Sequence, residues 1–302
     1  MKKSICILGV FCAVALSALS AEETHAERIV GDILANVAKV KAADPQAVPM
    51  AFWDFDGTLI AGDLEVGCTH RGEPILYPGI IRRAIEEGLI PIYDRKDGWR
   101  KFWEEDYLRM SQIGRWLAWP YLAQMLNGIS VRELDAFCAR EFEKIYRKWY
   151  YASSVKMLRA LESAGVENYV VSAGPELYIR NASDSLGLPR ERFRGIRVEI
   201  VGGRVTTRLV HPVPSGEGKV ENLRDLVLER PHGVAVAGFG NSYSTDGAFL
   251  RYVACQPSLP GRAKGTAVMI NGGKVVPGYT EHFICVDQTA VVGEARCGKI
   301  GR

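Results

Sequence analysis

The sequence predicts an α/β fold, a parallel sheet with helices on both faces, into which an all-helical block is inserted. Three observations predict it. Residues 49–55 form a short apolar run that reads as a buried strand. From residue 152 onward, short apolar runs alternate with stretches of helical periodicity, as in strands joined by crossover helices. Between them, residues 64–151 hold five of the six tryptophans and no clear strand, so they read as a helical cap over the sheet edge.

The chain opens MKKSICILGVFCAVALSALSAEE: Lys2 and Lys3, an apolar stretch over 5–19, then small residues. This is the layout of a secretory signal peptide cleaved after Ser20 or Ala21, so residues 1–21 are expected to be removed. The alternative, an uncleaved anchor, has a short apolar run against the ~20 residues a membrane span needs. Cleavage takes away Lys2 and Lys3 and no acid, which lowers the net charge from +3 to +1. So small a net charge does not suggest a polyanion-binding surface, and no nucleic-acid partner is expected. An exported chain, periplasmic or secreted, with no stable membrane association after cleavage is the expectation. Five cysteines then remain: Cys68, Cys138, Cys255, Cys285 and Cys297. Cys285–Cys297 and Cys255–Cys285 are the candidate disulfides in an oxidising compartment.

Residues 22–43 place Ile29, Ile33, Val37 and Val40 on one helical stripe, closed by Pro45 and Pro49. In the cap, Ser130 and Glu133 form a capping-box pattern. Val131, Leu134, Cys138, Phe142, Ile145 and Trp149 follow along one helical face, which makes Cys138 a packed core thiol. Beyond the cap, a helix over 154–164 stopped by Gly165, a strand over 168–171 and a helix over 175–186 are expected. Strands over 196–201 and 204–210 flank Gly202-Gly203, a β-hairpin signal. A helix over 219–229, a strand over 234–237, a helix over 245–253 and a strand over 266–270 complete the pattern. The core is thus residues 22–63 and 152–302, and the cap 64–151.

Ligands of such sheets bind at the carboxyl ends of the strands. The first strand runs into Asp54-Phe55-Asp56-Gly57-Thr58 and the second into Ser172-Ala173-Gly174. The helix after the hairpin opens at Lys219, and the next strand ends GFGNSYSTDG with Asn241, Ser242 and Asp246. Two carboxylates one residue apart share a side of the chain, which raises a pKa or demands a cation.

This ordered set of four motifs resembles the haloacid dehalogenase superfamily, and the insertion directly after the first motif is similar to the branch containing phosphoserine phosphatase. The resemblance implies a Rossmann-like core and a magnesium-dependent phosphohydrolase acting on a small phosphorylated metabolite. It implies Asp54 as nucleophile and Asp56 as acid and base, with Lys219 neutralising charge. Gly57, Thr58, Ser172, Ala173, Gly174 and Lys219 would hold the phosphate, and Asp54, Asp56, Asn241 and Asp246 would surround Mg²⁺. Where the family has an acid directly after the last-motif glycine, this chain has Asn241, so either Asn241 or Asp246 is the direct ligand. Asp63 lies where phosphoserine-specific relatives carry an acid facing the substrate amine. It reads equally as a solvated hinge residue. Arg71, with His70 and Glu73, is a second specificity candidate near the cap entrance. A dehalogenase would not need Asp56 to protonate a halide. A phosphate-binding protein with a weakened metal site draws its support from Asn241 alone.

Overall fold

The computed structural model describes residues 5–70, 73–256 and 259–293. Helix α1 (Ile5–Ala43) leads into strand β1 (Val48–Trp53). Its Ile29, Ile33, Val37 and Val40 are all buried, as their spacing demands. No helix among the described residues is long and apolar enough to cross a membrane.

After β1 come strands β2 (Gly67–His70) and β3 (Glu73–Pro78) and helices α2 (Ile80–Glu86) and α3 (Gly98–Arg100). A π-helical stretch, Lys101–Tyr107, leads into α4 (Leu108–Ile113), α5 (Arg115–Gln124) and α6 (Val131–Glu141). The core resumes with α7 (Ala152–Ser163), β4 (Glu167–Pro175), α8 (Glu176–Ile179), α9 (Ser183–Leu186), β5 (Phe193–Val201) and β6 (Arg204–Val210). It closes with α10 (Glu217–Glu229), β7 (Gly233–Gly240), α11 (Gly247–Cys255), β8 (Thr266–Ile270) and β9 (Ile284–Val286).

Seven strands form one sheet in the order β6-β5-β4-β1-β7-β8-β9, parallel except for β6 at the edge. The chain leaves β1 toward β4 and β5 on one side and later fills β7, β8 and β9 on the other. The strand order therefore reverses beside β1, and its carboxyl end is the place where such sheets bind their ligands. Both faces of β1 are covered, so alternate residues enter different cores. Ala51 and Trp53 join the α1 and α7 side, where Trp53 stacks on Phe239. Met50 and Phe52 join Leu223, Leu226, Phe249 and Leu250 of α10 and α11. The Trp53 indole donates to the buried Asn168 Oδ1 at 2.8 Å, and the Asn168 amide donates in turn to Leu158 O and Val166 O. That buried polar pair is therefore satisfied.

Four expectations need correction. The segment 64–151 is not all-helical: β2 and β3 form an antiparallel hairpin straight after the first motif. Its Tyr77 is buried and donates to Ala61 O at 2.5 Å, which ties the hairpin to the end of that motif. The Ser130 side chain makes no cap bond. The tip of the β5–β6 hairpin replaces it: Val131 N donates to Gly203 O at 2.9 Å and Gly128 N to Val205 O at 2.8 Å. The helix expected over 175–186 breaks at a 3₁₀ turn, Arg180–Ala182. There the Asn181 amide donates to Leu177 O, four residues back, and competes with the helical ladder. Finally, Cys255 and Cys285 are free thiols, so that pairing is absent, while Cys297 lies outside the described residues. Cys138 is fully buried, as expected, and the stripe from Leu134 through Phe142 to Trp149 is buried with it.

Candidate active site

Pairing of Trp53 with Val170 on one side and Phe239 on the other sets the ends of β1, β4 and β7 beside one another. Asp54 extends this by one residue, its N–H donating to Phe239 O at 2.8 Å. The chain then turns sharply: Phe55 O accepts the N–H groups of Thr58, Leu59 and Ile60. Gly57 makes the turn with φ of 70°, and a Cβ there would lie 1.9 Å from Asn241 Nδ2. Glycine is thus required both by the backbone and by the close approach of Asn241.

Lys219 sits at the centre. It is fully buried, and its Nζ donates to Asp54 Oδ1 at 2.5 Å and to Asp246 Oδ1 at 2.7 Å. Asp246 Oδ2 accepts the N–H groups of Asn241 and Ser242, both at 2.9 Å, so both of its oxygens are engaged. Asp246 therefore anchors Lys219 and shapes the 241–246 loop, while the Asn241 side chain stays against Gly57. Thr58 and Ser172 are fully buried, and the Thr58 hydroxyl donates to Asp54 Oδ2 at 3.3 Å.

Burial and then the charge of Asp246 push Asp54 up to about 6, against the pull of Lys219. Burial opposes the charge on Lys219, yet Asp246 and Asp54 outweigh it and hold its pKa above the ordinary lysine value. Burial, then Asp63 and Asp54, raise Asp56 well above the usual carboxylate range.

Two backbone donors expected at the phosphate are committed elsewhere. Gly57 N donates to Ile60 O at 2.8 Å and Gly174 N to Ser172 Oγ at 3.0 Å. Tight turns consume their own N–H groups, which leaves the Thr58 and Ser172 hydroxyls and the Lys219 ammonium as buried polar side-chain groups at this end of the sheet. Ala173 follows Ser172 at the same strand end. Asp63 is half-buried and accepts Val66 N at 2.8 Å, and Arg71 lies outside the described residues, as do the side chains of His70 and Glu73.

The sequence reading missed Glu65. It is buried, and one ligand atom each of Asp56, Asp63 and Glu65 lies within 4.8 Å of the others. The spacing of Asp63 and Glu65 repeats that of Asp54 and Asp56, which is the signal that could have found it. From the cap, Arg115 Nη1 donates to Ser244 Oγ at 2.7 Å and stacks over Trp119, so the cap touches the 241–246 loop. The half-buried Tyr107 feels the charges of Asp63 and Glu65.

A carboxylate gripped by a buried lysine, a second carboxyl one residue on, and two buried hydroxyls at a sheet's carboxyl end suit attack on an electrophile bearing negative charge. For a cation, the acidic cluster of Asp56, Asp63 and Glu65 offers oxygen donors only, one ligand atom of each lying within 4.8 Å of the others. A hard divalent ion fits that chemistry.

The family model for haloacid dehalogenase-like hydrolases matches residues 51–251. The chain belongs to this family. As a haloacid dehalogenase-like hydrolase it carries the first motif at Asp54–Thr58 and ends the matched region inside α11. No curated protein matches it significantly. Among solved structures it is similar to a protein of unknown function from Bordetella pertussis Tohama I, at TM-score 0.58 and 17% identity over 80% of this chain and 99% of that one. A functionally unknown protein from Anaerococcus prevotii DSM 20548 matches at TM-score 0.57 and 15% identity, over 80% of this chain and 86% of that one. A phosphoserine phosphatase structure, a phospho-aspartyl intermediate analogue, matches at TM-score 0.44 and 15% identity, over 80% and 94%.

Proposed function

We propose that this haloacid dehalogenase-like hydrolase is an exported, magnesium-dependent phosphohydrolase that cleaves a small phosphomonoester through an aspartyl-phosphate intermediate. The observation that carries the reading is the buried Lys219 Nζ held between Asp54 and Asp246, with Thr58 and Ser172 also buried at the same end of the sheet. Asp54 attacks phosphorus through a carboxylate oxygen, and Lys219 offsets the charge that builds on the phosphoryl oxygens. Thr58 and Ser172 donate their hydroxyl protons to those oxygens and orient them. Asp56, its carboxyl held well above the usual carboxylate range by burial, gives a proton to the departing alkoxide and then takes one from the water that hydrolyses the acyl phosphate. Bound Mg²⁺, held by Asp54, the Asp56 carbonyl and Asn241, would screen the repulsion between carboxylate and phosphate. Asp246 stays behind that shell, its oxygens already engaged. Export is supported by the leader-like residues 1–21.

The direct test is hydrolysis of an aryl phosphate with and without magnesium. Magnesium-dependent release of phosphate supports the reading, and phosphate binding without turnover would point to a binding protein. Asp56→Asn is expected to slow turnover by ~10²–10⁴-fold. Binding of a phosphate analogue, measured by calorimetry, should survive the change. An unchanged rate would remove Asp56 from acid–base duty.

Asn241→Asp is expected to lower the magnesium concentration needed for half-maximal activity, because it replaces a neutral oxygen with an anionic one. The new carboxylate would also lie near Asp54 and the incoming phosphate, so turnover at saturating magnesium should be flat or reduced. A magnesium titration of both proteins reads this, and identical requirements would place Asn241 outside the metal shell.

A further inference from the structure

We propose that Gln288 is a positioning residue for the nucleophile turn: through the Ser154 hydroxyl it holds the Thr58 carbonyl, and with it the turn that presents Asp54 and Asp56. This deepens the phosphohydrolase reading and rests on it.

Gln288 lies after β9, beyond the residues that the family model matches. Its segment belongs to a small ladder beside the site. Residues 148–152, where the chain returns from the cap to α7, run between two other stretches. On one side Tyr151 N donates to Leu59 O and Ala61 N to Trp149 O, both at 2.9 Å. On the other, Ala152 N donates to Ala290 O at 2.9 Å and Val292 N to Tyr150 O at 2.8 Å. The end of the first motif is thereby tied, through the cap's return, to residues far along the chain.

The turn itself needs an outside partner at one atom. Phe55 O takes the N–H groups of Thr58, Leu59 and Ile60, and Gly57 N closes on Ile60 O, yet among the described residues no backbone N–H reaches Thr58 O. Ser154, fully buried in the first turn of α7, donates its hydroxyl to that carbonyl at 2.7 Å. Ser154 Oγ also lies 2.8 Å from Gln288 Oε1. A hydroxyl carries one proton. With Thr58 O as its acceptor, the Gln288 amide is assigned the opposite way round, its NH₂ donating to Ser154 Oγ. Gln288 is 5% exposed and is fixed at its backbone. Its N–H donates to Asn271 Oδ1 at 2.7 Å, and Asn271 Nδ2 donates to Gln288 O at 3.0 Å. The next residue, Thr289, donates its hydroxyl to Glu22 Oε1 of α1 at 2.8 Å.

Two buried polar side chains thus converge on one carbonyl. Apolar residues of the same size would fill that space without burying polar atoms. What the polar pair adds is direction. Thr58 donates its own hydroxyl to Asp54 Oδ2 at 3.3 Å, so the residue whose carbonyl is held also touches the nucleophile. Rotation of the Thr58 peptide would move that hydroxyl and loosen the Asp54 carboxylate. A misplacement of ~1 Å at a reacting group can cost ~10²-fold in rate.

The test measures hydrolysis of an aryl phosphate well below the melting temperature of each protein. Ser154→Ala and Gln288→Met should each lower kcat by about 10- to 100-fold, while inhibition by inorganic phosphate shifts far less. The double variant should be no slower than the slower single, because both side chains act through one bond to Thr58 O. Ser154→Thr keeps the hydroxyl and should restore most of the rate. Should Gln288→Met fail to fold, the two Ser154 variants decide, since alanine is a good helix former at that position. Near-normal kcat in folded Ser154→Ala or Gln288→Met, losses that multiply in the double variant, or Ser154→Thr as slow as Ser154→Ala would overturn the assignment and leave the phosphohydrolase reading in place. A wild type that releases phosphate from no phosphomonoester would instead overturn that reading.

Discussion

Asp54→Asn is expected to abolish turnover, by on the order of 10⁴–10⁶-fold, as removal of a nucleophile does elsewhere. The amide matches the carboxylate in size and still offers Lys219 an oxygen, so the loop should keep its shape. It cannot attack phosphorus. The pH dependence of stability provides a separate check. Asp54 is raised to about 6 by burial and by Asp246. Between its unfolded value near 4 and that figure the native state binds more protons, so this group's contribution to stability is lost as pH rises through about 6. Asn cannot ionise, so the mutant should lack that loss. At pH 8 it should melt no lower than the metal-free wild type. Near-normal turnover in a folded mutant would end the aspartyl-phosphate mechanism, and a sharply lowered melting temperature would mean that Asp54 serves the fold.

Much of this arrangement is legible in the sequence because the physics there is local. The α1 stripe is set by helical period, β8 by a five-residue apolar run, and the β5–β6 hairpin by Gly202-Gly203, whose φ angles of 58° and 74° only glycine adopts freely. The motif residues Asp54, Ser172, Lys219 and Asp246 come at strand and helix ends, and the sheet order brings them together. What stayed hidden depends on contacts between distant segments. The β2–β3 hairpin is short and is held at Tyr77 by packing against Tyr146 and Trp149 and by its bond to Ala61 O. The Ser130 cap is pre-empted by Gly203, which lies more than seventy residues later. Strand β9 is only three residues long and has no alternation to read. Gly57 and Gly174 look like phosphate donors by position, yet their N–H groups close their own turns. Glu65 becomes a site residue only when the turn after Asp63 folds it against Gly174.

Lys219→Met is expected to damage both fold and activity, and the two losses can be separated. The lysine is fully buried, with Asp54 at 2.5 Å, Asp246 at 2.7 Å and the Phe249 ring at 5.5 Å from its Nζ. Methionine fills similar space but leaves two buried carboxyls without their cation. Breaking such a buried pair costs ~3–5 kcal/mol, chiefly through the charge left unpaired. The penalty should be larger near pH 8 than near pH 5, because Asp54, raised to about 6, is ionised at the higher pH and protonated at the lower. The sign follows from the lysine as well: its pKa is raised, so its stabilisation is present throughout the neutral range and is lost only as pH rises through that raised value. Turnover should fall by ~10²–10³-fold, the usual effect of removing one charge-stabilising donor from a transition state. Adding Asp246→Asn removes one of the orphaned charges while keeping an oxygen for the Asn241 and Ser242 N–H groups. The double mutant should therefore recover most of the lost stability and none of the lost turnover. If turnover returned along with stability, Lys219 would be a structural counter-ion only, and the charge on the phosphoryl group would have to be met by another residue.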